Sequence, residues 1–288
     1  MITQAIILAG GSGTRLSPLT DIVSKQQLPV YDKPMLFYPI SLLLKAGLKK
    51  LLIVCKSKDL NLYGQMLSPI LPYVNITYVI QDVPRGIAEA FLLCEQYIKN
   101  EPVALILGDN LFHHFNEIET ECKNCTPTFG ARIFGKAVCN PQDYGVAVLN
   151  QKGQVERIVE KPKEYISNLA VPGVYFYDAS VVGKAKTLKP SKRGEYEITD
   201  INNLYLQEGN LNLTVLGDDV AWFDTGSFDS LFEATMYVKS VQSRTGSVIG
   251  LPLEAAYQSS IISLAQLEES TRSATPHNIY LRKKYGLV

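Results

Sequence analysis

This 288-residue chain has few cysteines, no excess of basic residues and no long apolar run. The five cysteines need form no disulfides, because a chain of this length buries enough surface to fold without them. Lys plus Arg is 28 and Asp plus Glu is 28, and this balance argues against a general nucleic-acid binder. No apolar run reaches the length of a membrane span, and the run at 5–9 is too short for a signal-peptide core. We therefore expect a cytoplasmic protein with no nucleic-acid or membrane partner.

A second Cys-x-x-Cys pair is also lacking. Cys122 and Cys125 have the spacing of half a zinc site, but no other pair at similar spacing could supply the remaining ligands. We favour buried thiols over a zinc site here, as we do for Cys55 and Cys94, which lie in apolar segments.

Apolar strand-like segments alternate with helix-like segments through the first half of the chain. Apolar stretches at 5–9, 51–55, 76–81 and 103–107 predict strands, and the segments at 35–46, 59–67 and 87–98 predict helices. Continuously apolar strands are buried on both faces, which is typical of a parallel sheet covered by helices. We therefore predict an α/β fold with a Rossmann-like, doubly wound mixed sheet and helices on both faces.

The pattern changes after residue 127. Strands are predicted at 128–134, 145–149, 155–160 and 174–177, and residues 150–153 have the composition of a hairpin turn, so antiparallel strands are inserted here. We predict a main domain over 1–241, divided at about residue 127 into segments 1–127 and 128–241, and a small helical C-terminal portion over 242–288.

The stretch AIILAGGSGTRL joins the first predicted strand to a glycine-rich loop and an arginine. Gly10, Gly11 and Gly13 allow positive φ and close approach of a ligand. Their N–H groups lie at the carboxyl edge of the sheet, where open α/β folds bind ligands, and such groups bind anions. The planar Arg15 guanidinium suits phosphate oxygens. The stretch therefore predicts a phosphate-binding loop.

Two common phosphate-binding motifs do not fit this loop. The dinucleotide motif G-x-G-x-x-G needs glycine where Leu16 stands, and the P-loop needs Lys before Ser or Thr, where Thr14 and Arg15 stand. A structural turn with a surface arginine is the simpler alternative.

Two further features favour phosphate binding. Lys25 and Gln26 follow Arg15 closely, and two cations beside a glycine-rich loop suit a triphosphate. Asp109 follows the strand at 103–107, and a carboxylate beside phosphates makes sense if Mg²⁺ lies between them. From spacing alone, a helix N-cap or turn residue is an equally good interpretation of Asp109.

The motifs LAGGSGTRLSPLT and SKQQLPVYDKPM together closely resemble the signature of the sugar-phosphate nucleotidyltransferases. The resemblance continues in chain order through YDKPMLFYP, LILGDNLF, DYGVAVLN, VEKP, GVYFYD, RGEYEITDIN and AWFDTG. Enzymes of this family join a nucleoside triphosphate to a sugar 1-phosphate and release pyrophosphate. The loop SKQQLPVYDKP resembles the thymidylyl type, which implies dTTP and glucose 1-phosphate as substrates, Mg²⁺ as cofactor and a homotetramer. Residues 1–127 would then bind the nucleotide, and residues 128–241 the sugar phosphate.

The same resemblance implies the site residues. Arg15, Lys25 and Asp109 would be catalytic, and Gln81 would hydrogen-bond the pyrimidine edge. The residues implied in nucleotide binding are Leu8, Gly10, Gly11, Gly13, Thr14, Arg15, Lys25, Gln26, Gln81, Gly86 and Asp109. Those implied in sugar-phosphate binding are Tyr144, Gly145, Glu160, Lys161, Val171, Tyr175 and Glu195.

Asp109 and Asp224 are the implied ligands of Mg²⁺. Asp224 follows Trp222 and Phe223, so its position alone would make it a turn residue at a strand end. Arg85 stands where members of the family often have another residue, so this chain departs from the family's pattern beside the implied base pocket.

Three other functions stay open at this point. The chain could use UTP or another sugar 1-phosphate, or it could be a catalytically dead sensor that binds sugar nucleotides. It could also be a dinucleotide-dependent oxidoreductase. The joint presence of Arg15, Lys25, Asp109 and Asp224 argues against the sensor, and the lack of glycine at Leu16 argues against the oxidoreductase.

Overall fold

The computed structural model describes residues 2–11, 13–126 and 128–287. The strands are β1 (Gln4–Leu8), β2 (Pro29–Val30), β3 (Lys33–Pro34), β4 (Lys50–Cys55), β5 (Asn75–Ile80), β6 (Val103–Leu107), β7 (Asn110–His113), β8 (Ala131–Ala137), β9 (Gly145–Leu149), β10 (Val155–Glu160), β11 (Leu169–Ala170), β12 (Val174–Tyr177), β13 (Leu211–Val215) and β14 (Ala221–Asp224). The helices are α1 (Leu19–Ile22), α2 (Phe37–Lys45), α3 (Leu60–Leu67), α4 (Glu89–Leu93), α5 (Glu95–Ile98), α6 (Asn116–Asn124), α7 (Val181–Thr187), α8 (Ile198–Gln207), α9 (Phe228–Thr245), α10 (Pro252–Gln258), α11 (Leu264–Ser270) and α12 (Pro276–Tyr285).

The central sheet is mixed and has the order β10-β9-β11-β8-β12-β6-β1-β4-β5, with β13 paired to β8. The strands from the first part of the chain are parallel: β1 pairs with β4 and β6, and β4 pairs with β5. The later strands β8 to β12 add antiparallel pairings, including the β9–β10 hairpin. The structure confirms the predicted doubly wound mixed sheet with inserted antiparallel strands.

The inner parallel strands β1, β4 and β6 are buried on both faces. Successive side chains of a strand point to opposite faces, so each of these strands contributes to two cores. In β4, Leu51 and Ile53 pack into one apolar core, whereas Leu52 and Val54 pack into another. Side chains of α2, α3 and the C-terminal helices cover the first face, and those of α4, α5, α7 and α8 cover the second. This two-sided burial is the reason why the inner strands are apolar over most of their length.

The C-terminal helices pack against the same core as α2. Leu253 and Ala256 of α10, Leu267 of α11 and Leu281 of α12 belong to the core that includes Ile40. The predicted boundary at 241 falls inside α9, which runs on to Thr245 and ends at a glycine with positive φ. The division of the chain into separate domains therefore stays a prediction.

Three details differ from or refine the sequence predictions. The helix predicted at 87–98 is two short helices, α4 and α5, which meet at Cys94. Cys122 and Cys125 are buried thiols, and no group of three potential His, Cys, Asp or Glu ligands occurs in the described ranges of the chain. No helix in those ranges is both long and apolar enough to cross a membrane.

Candidate active site

An open cleft of about 430 Å³ lies at the carboxyl edge of the parallel strands. It sits where the strand order reverses, since β4 and β5 lie on one side of β1 and β6 lies on the other. Ligands of doubly wound folds bind at such a reversal. The cleft is lined by Leu8, Gly10, Gly11, Gly13, Thr14, Arg15, Lys25, Gln26, Gln81, Pro84, Gly86, Ile87, Leu107, Asp109, Glu160, Lys161, Arg193, Glu195, Glu197, Ile198 and Gly226.

The glycine-rich loop follows β1 and forms one wall of the cleft. Gly13 has φ +65° and its carbonyl accepts a hydrogen bond from the Thr20 hydroxyl at 2.8 Å. Gly10 and Gly11 do not have positive φ, so Gly13 is the one of the three glycines that uses this freedom. A Cβ on Gly10 or Gly11 would meet only ordinary contacts, whereas one on Gly13 would lie 2.9 Å from the Thr20 methyl carbon.

Lys25 and Asp109 form an ion pair across the cleft floor, and both side chains are largely buried. Lys25 begins a short 3-10 helix, Lys25–Gln27, behind which lies the buried carboxylate of Asp59. Asp59 accepts hydrogen bonds from the Ser24 hydroxyl and, at 3.4 Å, from the Gln27 amide. These bonds on either side of Lys25 tie its backbone to the start of α3.

Asp224 is brought to Asp109 by the pairing of β7 with β14. The antiparallel register sets Asp224 opposite Asn110, and the hydroxyl and N–H of Thr225 both donate to the Asp109 carbonyl, at 2.7 and 3.1 Å. Asn110 braces the arrangement, because its side-chain oxygen accepts from Trp222 Nε1 at 2.7 Å and from a backbone N–H at 3.0 Å. Two carboxylates distant in sequence are therefore neighbours: Asp109 lines the cleft, and Asp224 is not among the lining residues but lies close enough to be repelled by Asp109.

The two carboxyl groups have opposite pKa shifts. Burial alone would raise the pKa of Asp109, but the charge and hydrogen bond of Lys25 bring the pKa below its ordinary value. Burial, followed by repulsion from Asp109, raises the pKa of Asp224 to about 6, although Lys25 and Arg15 oppose the rise. The site therefore holds one firmly ionised carboxylate and one that a further cation would help to ionise.

Gln81 and Gly86 lie on the wall formed by the loop after β5. Gly86 has φ +108°, and a Cβ there would lie 2.4 Å from the Tyr196 carbonyl oxygen. Backbone hydrogen bonds join the two segments, from Tyr196 N to the Arg85 carbonyl at 2.7 Å and from Ala88 N to the Tyr196 carbonyl at 3.1 Å. Glycine is thus required at 86 because two protein segments meet there.

Replacing Gly86 by alanine is expected to destabilise the protein by about 3 kcal/mol or more, through backbone strain and overpacking. The substitution should also weaken the binding of ligands in the cleft, since the segment with Tyr196 also carries the lining residues Glu195 and Glu197. Thermal unfolding and ligand titration measure the two effects. Gly64→Ala is the control, because Gly64 lies inside α3 with open space around it, and alanine there should stabilise by about 0.5–1 kcal/mol. Equal melting temperatures for the two variants would contradict the argument.

The opposite wall combines cations with carboxylates. Arg193 forms a two-pronged pair with Glu197, with Nη2–Oε2 at 2.8 Å and Nε–Oε1 at 3.1 Å. The same Nη2 lies 3.2 Å from Glu195 and 3.6 Å from Glu160. Glu160 also accepts from the Thr199 hydroxyl at 2.7 Å. None of the ion pairs in the described ranges of the chain involves Arg15 or Lys161, which leaves both cations available to an anion.

The structure brings together most of the predicted site residues. Every residue predicted to bind the nucleotide lines the cleft, as do Glu160, Lys161 and Glu195. Tyr144, Gly145, Val171 and Tyr175 do not line the cleft. The Tyr144 carbonyl accepts from Lys161 N at 2.9 Å, Val171 N donates to the Gly145 carbonyl at 2.8 Å, and Tyr175 is buried in an apolar core.

Several lining residues were not predicted. They are Pro84, Ile87, Leu107, Arg193, Glu197, Ile198 and Gly226. Arg193 and Glu197 stand in the motif RGEYEITDIN, where a cation followed by carboxylates two and four residues later was a usable signal. The apolar residues carried no such signal, because their exposure at the cleft depends on the fold.

The comparison with protein families agrees with this fold and site. The family model described as "Nucleotidyl transferase" matches residues 4–241, and the chain therefore belongs to the nucleotidyl transferase family. This result confirms the prediction made from the motifs.

Named relatives define the type within the family. The chain is similar to the glucose-1-phosphate thymidylyltransferase of Mycolicibacterium smegmatis, at 43% identity over 98% of this chain and 96% of that protein. It is also similar to that of Neisseria meningitidis, at 42% identity over 94% of each chain. These relatives confirm the thymidylyl type that the motifs implied.

Solved structures share the architecture. A crystal structure assigned to a glucose-1-phosphate thymidylyltransferase of Bacillus anthracis has a TM-score of 0.74 and 37% identity, and covers 81% of this chain and 94% of that one. A UDP-glucose pyrophosphorylase complexed with UDP-glucose has a TM-score of 0.71 and 26% identity, and covers 83% and 100%. The fold is therefore that of the nucleotidyltransferases.

Proposed function

We propose that the protein transfers a thymidylyl group from dTTP to α-D-glucose 1-phosphate, giving dTDP-glucose and pyrophosphate. One observation carries the proposal: a continuous cleft joins a glycine-rich loop with Arg15 and Lys25 to a wall that presents Lys161 and Glu195. Such a cleft suits one ligand with several phosphates and a second ligand with one phosphate and several hydroxyls. The names of the relatives support the same two substrates.

The reaction needs positioning and charge neutralisation more than proton transfer. An oxygen of the sugar phosphate attacks the α-phosphorus in line, the bond to the β-phosphate oxygen breaks, and pyrophosphate leaves with the bonding electrons. The attacking phosphate oxygen is already ionised at neutral pH, so no general base is required. Arg15, Lys25 and the loop N–H groups would bind the triphosphate and stabilise the charge that develops on pyrophosphate.

Asp109 at the floor of the cleft and the neighbouring Asp224 fit a magnesium ion. Asp109 and Asp224 offer the oxygen ligands that Mg²⁺ prefers, and the raised pKa of Asp224 reflects burial and a neighbouring negative charge that a dication would offset. We propose that these two carboxylates hold Mg²⁺ together with phosphate oxygens of the substrate. When bound, the ion would supply charge stabilisation at the transferred phosphoryl group.

On the opposite wall, Lys161 and Arg193 would bind the phosphate of the sugar substrate. Glu160 and Glu195 would accept hydrogen bonds from sugar hydroxyls, since an ionised carboxylate accepts two donors readily. Tyr144, Gly145 and Val171 would support this wall, through the backbone bonds to Lys161 and between Val171 and Gly145, and Tyr175 would support it as part of the buried apolar core.

Release of pyrophosphate tests the proposal. The protein is incubated with dTTP, glucose 1-phosphate and Mg²⁺, pyrophosphate is followed enzymatically, and the nucleotide sugar is identified by mass spectrometry. Arms with UTP, with other sugar 1-phosphates and with no sugar measure specificity. A sensor would bind dTDP-glucose without turnover, and an oxidoreductase would consume a nicotinamide cofactor. Either result would overturn the proposal.

We keep the cytoplasm as the proposed location and a homotetramer as the proposed assembly. All five cysteines are free thiols, which suits a reducing compartment. Phe228, Phe232 and Met236 follow one another at intervals of four residues along α9 and are 47%, 65% and 46% exposed. Exposed apolar side chains at helical spacing are typical of a contact between subunits.

The double variant Phe232→Glu with Met236→Glu is expected to lower the mass of the particle in solution, because a subunit contact would then have to bury two carboxylates. Light scattering coupled to size-exclusion chromatography measures the mass. Leu264→Glu is the control, since Leu264 is comparably exposed at the start of α11. A wild-type monomer, or an unchanged tetramer in the variant, would contradict this expectation.

A further inference from the structure

The side-chain amide of Gln81 has a defined orientation in the cleft. Gln81 follows β5, is 7% exposed and lines the cleft wall. Its Nε2 donates to Glu89 Oε2 at 2.8 Å. The two ends of an amide have nearly the same shape, so the partner decides the orientation. An ionised carboxylate can only accept, hence the NH₂ group must face Glu89 and the carbonyl oxygen must face away from it.

Arg85 holds the Glu89 carboxylate in place as the acceptor for the Gln81 NH₂ group. The Arg85 backbone N–H donates to Glu89 Oε2 at 3.2 Å, and its Nε donates to Oε1 at 2.7 Å. The Glu89 side chain is 4% exposed and that of Arg85 is 62% exposed, so a surface guanidinium compensates a buried negative charge. Glu89 therefore stays an acceptor, with bonds on both of its oxygens.

The carbonyl oxygen of Gln81 is left for a ligand. No residue in the described ranges donates a hydrogen bond to it, and Gln81 shares the cleft wall with the apolar Pro84 and Ile87. A nearly buried acceptor beside apolar side chains suits a flat heterocycle that carries an N–H donor at its edge.

We propose that Glu89 is a positioning residue for base selection: it orients Gln81 so that the site accepts bases with an imide N–H and rejects cytosine. This inference rests on the proposed nucleotide-binding function of the cleft. Thymine and uracil carry hydrogen on N3, whereas cytosine has a lone pair there. Against cytosine the Gln81 oxygen would lose its partner, and a site built to hydrogen-bond an N–H discriminates strongly against an analogue that lacks it.

The test compares dTTP with dCTP at saturating glucose 1-phosphate in Glu89 variants. Glu89→Met keeps the length of the side chain but removes the acceptor, and it should lower the ratio of kcat/KM for dTTP over dCTP by about tenfold. Glu89→Gln keeps one acceptor oxygen and should hold the ratio within about threefold of the wild type. If Glu89→Met folds poorly, the double variant Arg85→Ala with Glu89→Met replaces it in the test. The ratio of kcat/KM for dTTP over dCTP should fall by the same factor.

A double-mutant cycle separates positioning from a purely structural role. In a Gln81→Leu background, Glu89→Met should leave the base ratio unchanged, because Glu89 acts through Gln81. An unchanged ratio in folded Glu89→Met, or a further loss in the Gln81→Leu background, would overturn the inference. If the wild type makes no nucleotide sugar, the proposed function fails separately. In that case, isothermal calorimetry compares the affinities of the cleft for thymidine and cytidine. The inference then requires that the wild type binds thymidine more tightly than cytidine and that Glu89→Met loses this preference.

Discussion

Replacing Lys25 by methionine is expected to slow turnover by about 10²–10³-fold while the protein stays folded. Lys25 is the cation that the structure pairs with Asp109, at the floor of the cleft. In the free protein it neutralises Asp109, and in the reaction it would neutralise phosphate oxygens as pyrophosphate departs. Methionine fills a similar volume but supplies neither charge nor hydrogen bond.

The kinetic pattern should identify the role of Lys25. An interaction that strengthens in the transition state lowers kcat and kcat/KM together, whereas one that only binds the substrate raises KM. Lys186→Met removes a cation from an exposed pair with Glu95 and should leave activity unchanged. Circular dichroism and thermal melting monitor the fold of both variants. A folded Lys25→Met enzyme within a few-fold of wild-type turnover would remove Lys25 from the catalytic residues.

Asp109→Asn and Asp224→Asn are each expected to lower Mg²⁺-dependent activity by about 10²-fold or more. The two carboxylates would hold one ion, so the loss of either one should spoil the site. Residues that act as a unit have non-additive effects, and the double variant should be little worse than either single variant. Asp218→Asn, in an exposed turn, is the matched control.

The stabilities of these two variants should change in opposite directions without Mg²⁺. Asp224 has a raised pKa of about 6 against an ordinary 3.8, so its protonated form stabilises the fold below pH 3.8 and this stability is lost as the pH rises through 6. At pH 8 Asp224→Asn should therefore melt a few degrees higher than the wild type. Asp109 has a lowered pKa, so its ionised form stabilises the fold at neutral pH, and Asp109→Asn should melt lower.

Thermal melting at pH 5 and pH 8, with and without Mg²⁺ and dTTP, measures these changes. The advantage of Asp224→Asn should grow between pH 5 and pH 8, and added Mg²⁺ with dTTP should stabilise the wild type more than the variant. Normal Mg²⁺ dependence in Asp224→Asn would show that Asp224 is a turn residue at a strand end. An Asp224→Asn variant that melts lower than the wild type at pH 8 would contradict the repulsion between the two carboxylates.

Local sequence patterns predicted the parallel half of the sheet and the loop that follows its first strand. The apolar run at 51–55 reads as a strand because both of its faces are buried, as Leu51 and Leu52 in opposite cores show. The glycine-rich loop was recognisable because its glycines directly follow a predicted strand. This position places the N–H groups of the loop at the carboxyl edge of the sheet, where ligands bind. Such features depend on neighbours within a few residues, so the order of residue types is enough to predict them.

The tertiary structure alone decided how distant segments complete the site. Asp224 is a ligand candidate because β14 pairs with β7 and brings it beside Asp109, whereas in the chain it follows two aromatic residues like any strand-end carboxylate. The resemblance implied Gly86 in nucleotide binding, yet its missing Cβ faces the backbone of Tyr196. Both facts depend on which backbone segments lie side by side. That choice is made by packing of the whole core, and no local pattern of residue types contains it.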